Sequence, residues 1–188
     1  MALLEESRGP IWICTATALA PGAVNAMDLI EIVAGSASRC IIREVEIGQY
    51  SIAGDSNAEM VGLQVLRNHG TTGSGGTALA ASGSTPNVCN LRQLFTPTTQ
   101  TQVTPTAPSF AGAVGNTTLA VANGNAIHCV RATAFNAMGG YRYYPGFRGE
   151  RWILDFSQRL VVRLTPHLNT AALFNLTMLV QEIGNGDV

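Results

Sequence analysis

Residues 39–78 read RCIIREVEIGQYSIAGDSNAEMVGLQVLRNHGTTGSGGTA. Two short apolar runs, Cys40–Ile47 and Met60–Leu66, flank a polar loop rich in Gly, Asp, Ser and Asn. Arg43 and Glu44 would suit a helix, but the β-branched residues at 41, 42, 45 and 47 tip the first run toward a strand. Strict alternation puts Cys40, Ile42, Glu44 and Glu46 on one face and Ile41, Arg43, Val45 and Ile47 on the other. Neither face is wholly apolar. Such a strand fits between a core and a neighbouring subunit, which makes Arg43, Glu44 and Glu46 candidate interface residues, Arg43 foremost. The stretch reads as the middle of a β-sandwich.

The glycine-rich continuation His69–Ala78 invites a phosphate-loop reading. A P-loop needs lysine after its last glycine, and the chain contains no lysine. The dinucleotide fingerprint fails as well, because Gly73, Gly75 and Gly76 have the wrong spacing and no helical pattern follows. What remains is a permissive turn whose glycines supply positive φ.

Outward from this centre the same punctuation recurs. Ile11–Ala20 alternates Ile11, Ile13, Thr15 and Thr17 against Trp12, Cys14, Ala16 and Ala18, and Pro21-Gly22 ends it. Met27–Ala34, Ala126–Phe135, Trp152–Phe156, Leu160–Thr165 and Leu173–Ile183 are further strand candidates. Eight or nine strands without a convincing amphipathic helix predict an all-β chain. The expected architecture is a two-sheet antiparallel β-sandwich, most simply a jelly roll. Residues 1–9 read as an N-terminal arm and residues 10–188 as one sandwich domain. Within it, 96–109 (TPTTQTQVTPTAPS) holds six threonines, three prolines and no charge. Those prolines exclude a central strand, leaving an extended excursion over the sandwich or a neighbour, or a disordered stretch.

Composition bounds the role. A chain of 188 residues can bury about 70% of its unfolded surface and needs no staple. Charged residues are only 12%, about half the usual share, and the net charge is −1. That balance argues against direct nucleic-acid binding, which needs a basic face. All eleven basic residues are arginine. Two readings stay open: codon bias, or a surface spent on contacts that exclude the strongly hydrated lysine. No apolar run reaches the ~18 residues of a membrane helix. Ile11–Ala20 ends like a signal-peptide cleavage site, but Glu5 and Glu6 stand where positive charge is expected, so secretion is not expected.

Chemistry is sparse. Cys14, Cys40, Cys89 and Cys129 form no C-x-x-C pair, and those at 14, 40 and 129 read as small buried hydrophobes with reduced thiols. His69, His128 and His167 are isolated, which disfavours a cupin-like metal enzyme. No G-x-S-x-G elbow exists. No catalytic residue, cofactor or metal ligand is assigned. The one aromatic concentration is 141–149 (YRYYPGFRG). Tyr141, Arg142, Tyr143, Tyr144, Phe147 and Arg148 could form a subunit interface or a sugar site, or close over one end of the sandwich.

Several stretches resemble the capsid decoration, or cement, proteins of tailed phages. They are Ile42-Arg43-Glu44-Val45, Gly73–Ala78, Phe135-Asn136, Gly140-Tyr141, Arg159–Leu164 and Leu176–Glu182. The resemblance implies a jelly-roll fold and a structural virion role without enzymatic activity. It further implies a homo-oligomer, commonly a trimer, bound to the major capsid protein on the outside of the head after synthesis in the host cytoplasm. The longer Thr/Pro segment and the N-terminal extension depart from that pattern. A virion fibre or a head-surface module recognising glycan or protein is the alternative.

Overall fold

The computed structural model describes residues 9–21, 25–49, 60–67, 70–79, 90–95, 108, 110–121, 128–145, 151–166 and 172–183. The chain is all-β and folds as a two-sheet antiparallel sandwich. Six strands form the first sheet: β1 (Ile11–Leu19), β3 (Arg39–Gln49), β6 (Asn90–Phe95), β9 (Tyr141–Tyr143), β10 (Trp152–Leu154) and β12 (Phe174–Ile183). They run in the order β10-β3-β12-β1-β6, and β9 also pairs with β3. The second sheet holds β2 (Met27–Val33), β4 (Met60–Arg67), β5 (Thr77–Ala78), β7 (Ala111–Asn116), β8 (His128–Asn136) and β11 (Arg159–Pro166). Its order is β5-β7-β2-β11-β4-β8. The first four strands alternate between sheets, and so do β10, β11 and β12.

The core lies between the sheets. Trp12, Ile42, Leu63, Leu160 and Phe174 are among its fully enclosed side chains. In β1 the inward set is Trp12, Cys14 and Ala16, and in β12 it is Phe174, Leu176, Met178 and Val180, as simple alternation requires.

Elsewhere the alternation breaks, and β-bulges are the reason. In β3, Glu44 faces Leu179 and Ile42 faces Val180, so Arg43 has no residue opposite it. The extra residue switches the phase of the strand. Cys40 and Ile42 enter the core before the bulge, and Val45 and Ile47 after it. This corrects the two strict faces expected for Cys40–Ile47: the strand has an apolar inner face throughout. A second bulge leaves Leu29 unopposed between Asp28 and Ile30, so β2 is buried on both faces over Met27–Ile32.

The outer face of β2 carries Asp28 and Glu31, and the segments 70–76 and 117–121 lie over it. These segments pair with each other through Thr71–Val121 and Ser74–Thr118 bridges. Asp28 accepts from Ala120 N at 2.6 Å, and Glu31 accepts from Gly73 N at 3.0 Å and from Asn116 Nδ2 at 3.2 Å. The glycines here serve close approach more than positive φ. Gly75 has φ +82°, but a Cβ on Gly76 would lie 2.3 Å from Val114 O, and one on Gly73 would lie 2.7 Å from Thr118 O. Gly76→Ala should therefore cost about 1–3 kcal/mol by forcing two paired backbones apart. Urea unfolding followed by tryptophan fluorescence checks this.

Of the described cysteines, Cys14 and Cys40 are buried, whereas Cys129 is exposed. The expectation for Cys129 fails because β8 is an edge strand with little packed on its outer side. Cys40 is held neutral: burial, and secondarily the Glu182 charge, push its thiol from an ordinary 9.0 to about 12. The folded chain thus holds this proton longer than the unfolded chain does. The contribution is intact below about pH 9 and is lost as pH rises from 9 toward 12. Urea midpoints across that range should fall less steeply in Cys40→Ala than in the parent.

Candidate functional site

The two sheets part at the side bounded by β8 and by β9 and β10. Residues opposite one another on paired strands share a face. On β8, Phe135, Thr133 and Arg131 lie opposite the core residues Val61, Leu63 and Val65. They step from buried Phe135 to exposed Arg131, which places Arg131 at the mouth. Across the gap, Tyr141, Tyr143 and Trp152 lie opposite Ile47, Val45 and Ile42, all core residues of β3.

β9 and β10 pair with successive parts of β3, at 45–47 and 40–42, so they form one edge strand interrupted between Tyr143 and Trp152. The interruption falls beside the Arg43 bulge. Tyr143 and Trp152 close it by stacking, with ring centroids 3.7 Å apart and planes 4° from parallel. Phe135 and Tyr141 meet at 5.8 Å, and the Arg131 guanidinium sits 6.0 Å from the centre of the Tyr141 ring. The Tyr141 hydroxyl is buried without a hydrogen-bond partner. Burial pushes this phenol above its ordinary 10.0, against the opposing pull of the Arg131 charge.

A cleft of about 610 Å³ opens here. Arginines 67, 131, 142 and 151 line it, with Tyr143, Tyr144 and Trp152. The β8 bulge leaves Val130 unopposed beside it and turns that side chain to the wall. Arg67 ends β4 opposite the core residue Leu160. It donates through Nη2 to Gln158, while its buried Nε has no partner.

The residues singled out from sequence separate into three groups. Arg43 turns inward on its own chain: its Nε donates to Gln181 Oε1 at 2.6 Å, and its Nη2 donates to the same oxygen. Gln181 in turn donates to Gly9 O at 3.3 Å. Glu44 and Arg142 form an ion pair at 2.7 Å, with Glu46 opposite Arg142 in the register. Tyr141, Tyr143 and Tyr144 come together around the cleft, Tyr144 being 70% exposed. Phe147 and Arg148, like most of the Thr/Pro stretch 96–109 and the arm at 1–8, lie outside the described residues.

Sequence reasoning missed Arg67, Arg131, Arg151 and Trp152 as members of this group. Only the pairing of β4 with β8, and of β3 with β9 and β10, brings them beside the tyrosines. A usable signal was present in Ala126–Phe135, where Arg131 is the one charged residue in a strand-like alternation.

Among the described residues, no cluster of three or more His, Cys, Asp or Glu side chains could hold a metal ion. His69 and His167 lie outside them. No helix among them is long and apolar enough to cross a membrane. Comparison of the chain with protein-family models, with curated proteins and with solved structures returns no match.

Proposed function

We propose that this chain is a structural protein of a phage head, a decoration or cement protein that binds the outer face of the shell as a homo-oligomer, most simply a trimer. The observation that carries the proposal is the concentration of exposed apolar side chains along the open side of the sandwich. Among the described residues six large hydrophobics are exposed: Met60, Val121, Val130, Met138, Tyr144 and Ile153. All but Val121 lie on or beside β8, β9 and β10. Lone exposed hydrophobics are ordinary, but a cluster along one edge marks a contact surface.

The character of β8 supports the same reading. It spans nine residues, and Cys129, Val130, Arg131, Ala132 and Ala134 are all exposed. The bulge at Val130 makes β8 a poor template for strand pairing, so its exposed side chains, and not its backbone, offer the contact. A second copy is the occupant we assign to this edge, with the major capsid protein beneath the assembly. A symmetric oligomer multiplies modest contacts with a repeating shell through effective concentration.

The strand order supports a jelly-roll reading. With β9 and β10 taken as one interrupted strand, β1, β12, β3 and β9/β10 form one four-stranded half, and β2, β11, β4 and β8 form the other. Strands β5, β6 and β7 then belong to an excursion between β4 and β8 that widens both sheets on the side away from the cleft.

Light scattering coupled to size-exclusion chromatography tests the oligomer, and co-sedimentation with empty heads of the same phage tests the shell. The expected result is a trimer that pellets with the heads. A stable monomer that stays in the supernatant would overturn the proposal. Ala132→Lys places a solvated charge on the exposed edge and should shift the oligomer toward monomer by about tenfold in dissociation constant, with the melting temperature of the monomer unchanged.

A further inference from the structure

An apolar contact surface does not account for the arginines of the open cleft, and their arrangement points to a ligand. Four of the eleven arginines in a chain of net charge −1 line this one cleft, and none of the described residues lining it is acidic. Arg142 is neutralised from outside by Glu44 at 2.7 Å. Arg67 turns one nitrogen to the neutral Gln158 and keeps a buried Nε without a partner. A buried donor left unmatched is costly, and an acceptor arriving in the cleft would satisfy it. Arg131 is exposed at the mouth.

The geometry points to an acidic oligosaccharide, two or three residues long and bearing carboxylates, as the ligand of this cleft. Guanidinium forks match carboxylates in paired hydrogen bonds. The 70%-exposed Tyr144 offers a flat apolar face on which the C–H face of a sugar ring can lie, beside the Tyr143–Trp152 stack. A volume of about 610 Å³ is generous for a lone phosphate and falls within the range of small-molecule sites.

The backbone disfavours the main competitor, an acidic peptide added as a strand. Peptide recognition at a sheet edge needs an uninterrupted row of backbone groups. Here β8 is bulged at Val130, and the opposing edge is broken between Tyr143 and Trp152. The site therefore suits a ligand held by side chains. The cleft shares Val130 and Tyr144 with the proposed contact edge, but oligomer size and sugar affinity are read independently, so either reading can fail alone.

Isothermal titration calorimetry on the full chain tests the assignment, with trigalacturonate and 3′-sialyllactose as acidic probes and maltotriose and lactose as their neutral counterparts. Hexaglutamate and inorganic phosphate test the peptide and simple-anion readings. At least one acidic sugar should bind about tenfold or more tightly than its neutral counterpart. That affinity should fall by about tenfold in Arg131→Ala and in Tyr144→Ala, and should weaken with added salt. Both side chains are exposed, so both variants should melt with the parent by circular dichroism. Three results would each overturn the assignment: no preference for either acidic sugar, equal or tighter binding of hexaglutamate or phosphate, or variants that bind as the parent does.

Discussion

Asp28→Ala should destabilise this protein by about 3–5 kcal/mol, a large part of the 5–15 kcal/mol that typically holds a domain together. Asp28 is wholly enclosed, and the Arg163 side chain is only 13% exposed. The two form a forked pair, Nε to Oδ1 at 2.6 Å and Nη2 to Oδ2 at 3.3 Å. Between them they also hold residue 120, whose N–H reaches Asp28 at 2.6 Å and whose carbonyl accepts from Arg163 at 2.8 Å. Truncating the carboxylate strands a buried guanidinium and orphans the Ala120 N–H together. It also loosens the cover formed by 70–76 and 117–121, under which Leu66, Ala120 and Val161 make a small apolar cluster. Urea unfolding gives the measurement. A loss below about 1 kcal/mol would show that water reaches the pair freely. The double variant Asp28→Leu/Arg163→Met should recover much of the loss, because removing both charges removes the desolvation penalty with them.

Trp12→Ala should have an effect of similar size, about 3–5 kcal/mol, for a different reason. Trp12 is 2% exposed on the inner face near the start of β1 and meets Phe110 edge-on at 6.3 Å. Its removal leaves a cavity that two hydrogen-bonded sheets cannot collapse to fill. The indole Nε1 also donates to the buried Glu182 at 2.9 Å. Trp12→Phe separates the contributions in part: it keeps one aromatic ring in the core and loses the donor with a smaller share of the packing, so it should cost about 1–2 kcal/mol. By circular dichroism the alanine variant should melt on the order of 10 °C below the parent, and the phenylalanine variant much closer to it. Equal losses in the two variants would mean that the hydrogen bond, and not the packing, dominates.

The strands best read from sequence were those with regular alternation and clear turn residues at both ends. β1, β4, β11 and β12 fall within a residue or two of their expected limits. Four strands were not individually placed from sequence, although short edge strands are the expectation for the biased region Ser82–Asn125. β7 is AGAVGN, whose small residues give little hydrophobic period, and β5 is only two residues long. β6 lies just before the uncharged Thr/Pro stretch 96–109, and β9 is three residues of a stretch read for its aromatics. These are short, added pieces whose pairing depends on an existing sheet edge and not on their own pattern.

The mixed faces of Cys40–Ile47 show the limit most clearly. Arg43, Glu44 and Glu46 among apolar residues suggested a strand buried on one side by another subunit. One unopposed residue, Arg43, accounts for the pattern within the chain, and that arginine is engaged by Gln181. A bulge changes the phase of a strand without any residue type that announces it, so two half-strands in opposite phase look like one poor strand. The same device brings Asp28 to the outer face of β2 and Val130 to the cleft.

From sequence alone came the all-β class, the sandwich, and the exclusion of a phosphate loop, because periodicity, turn residues and a missing lysine are local properties. Sequence also drew attention to Tyr141, Tyr143 and Tyr144. Only the tertiary structure decided what they accompany. Arg67, Arg131 and Arg151 arrive from β4, from β8 and from the start of β10, and meet the tyrosines where the two sheets part. That meeting depends on strand register and on the bulges at Arg43 and Val130, which are set by the summed packing of both sheets and written in no single stretch of the chain.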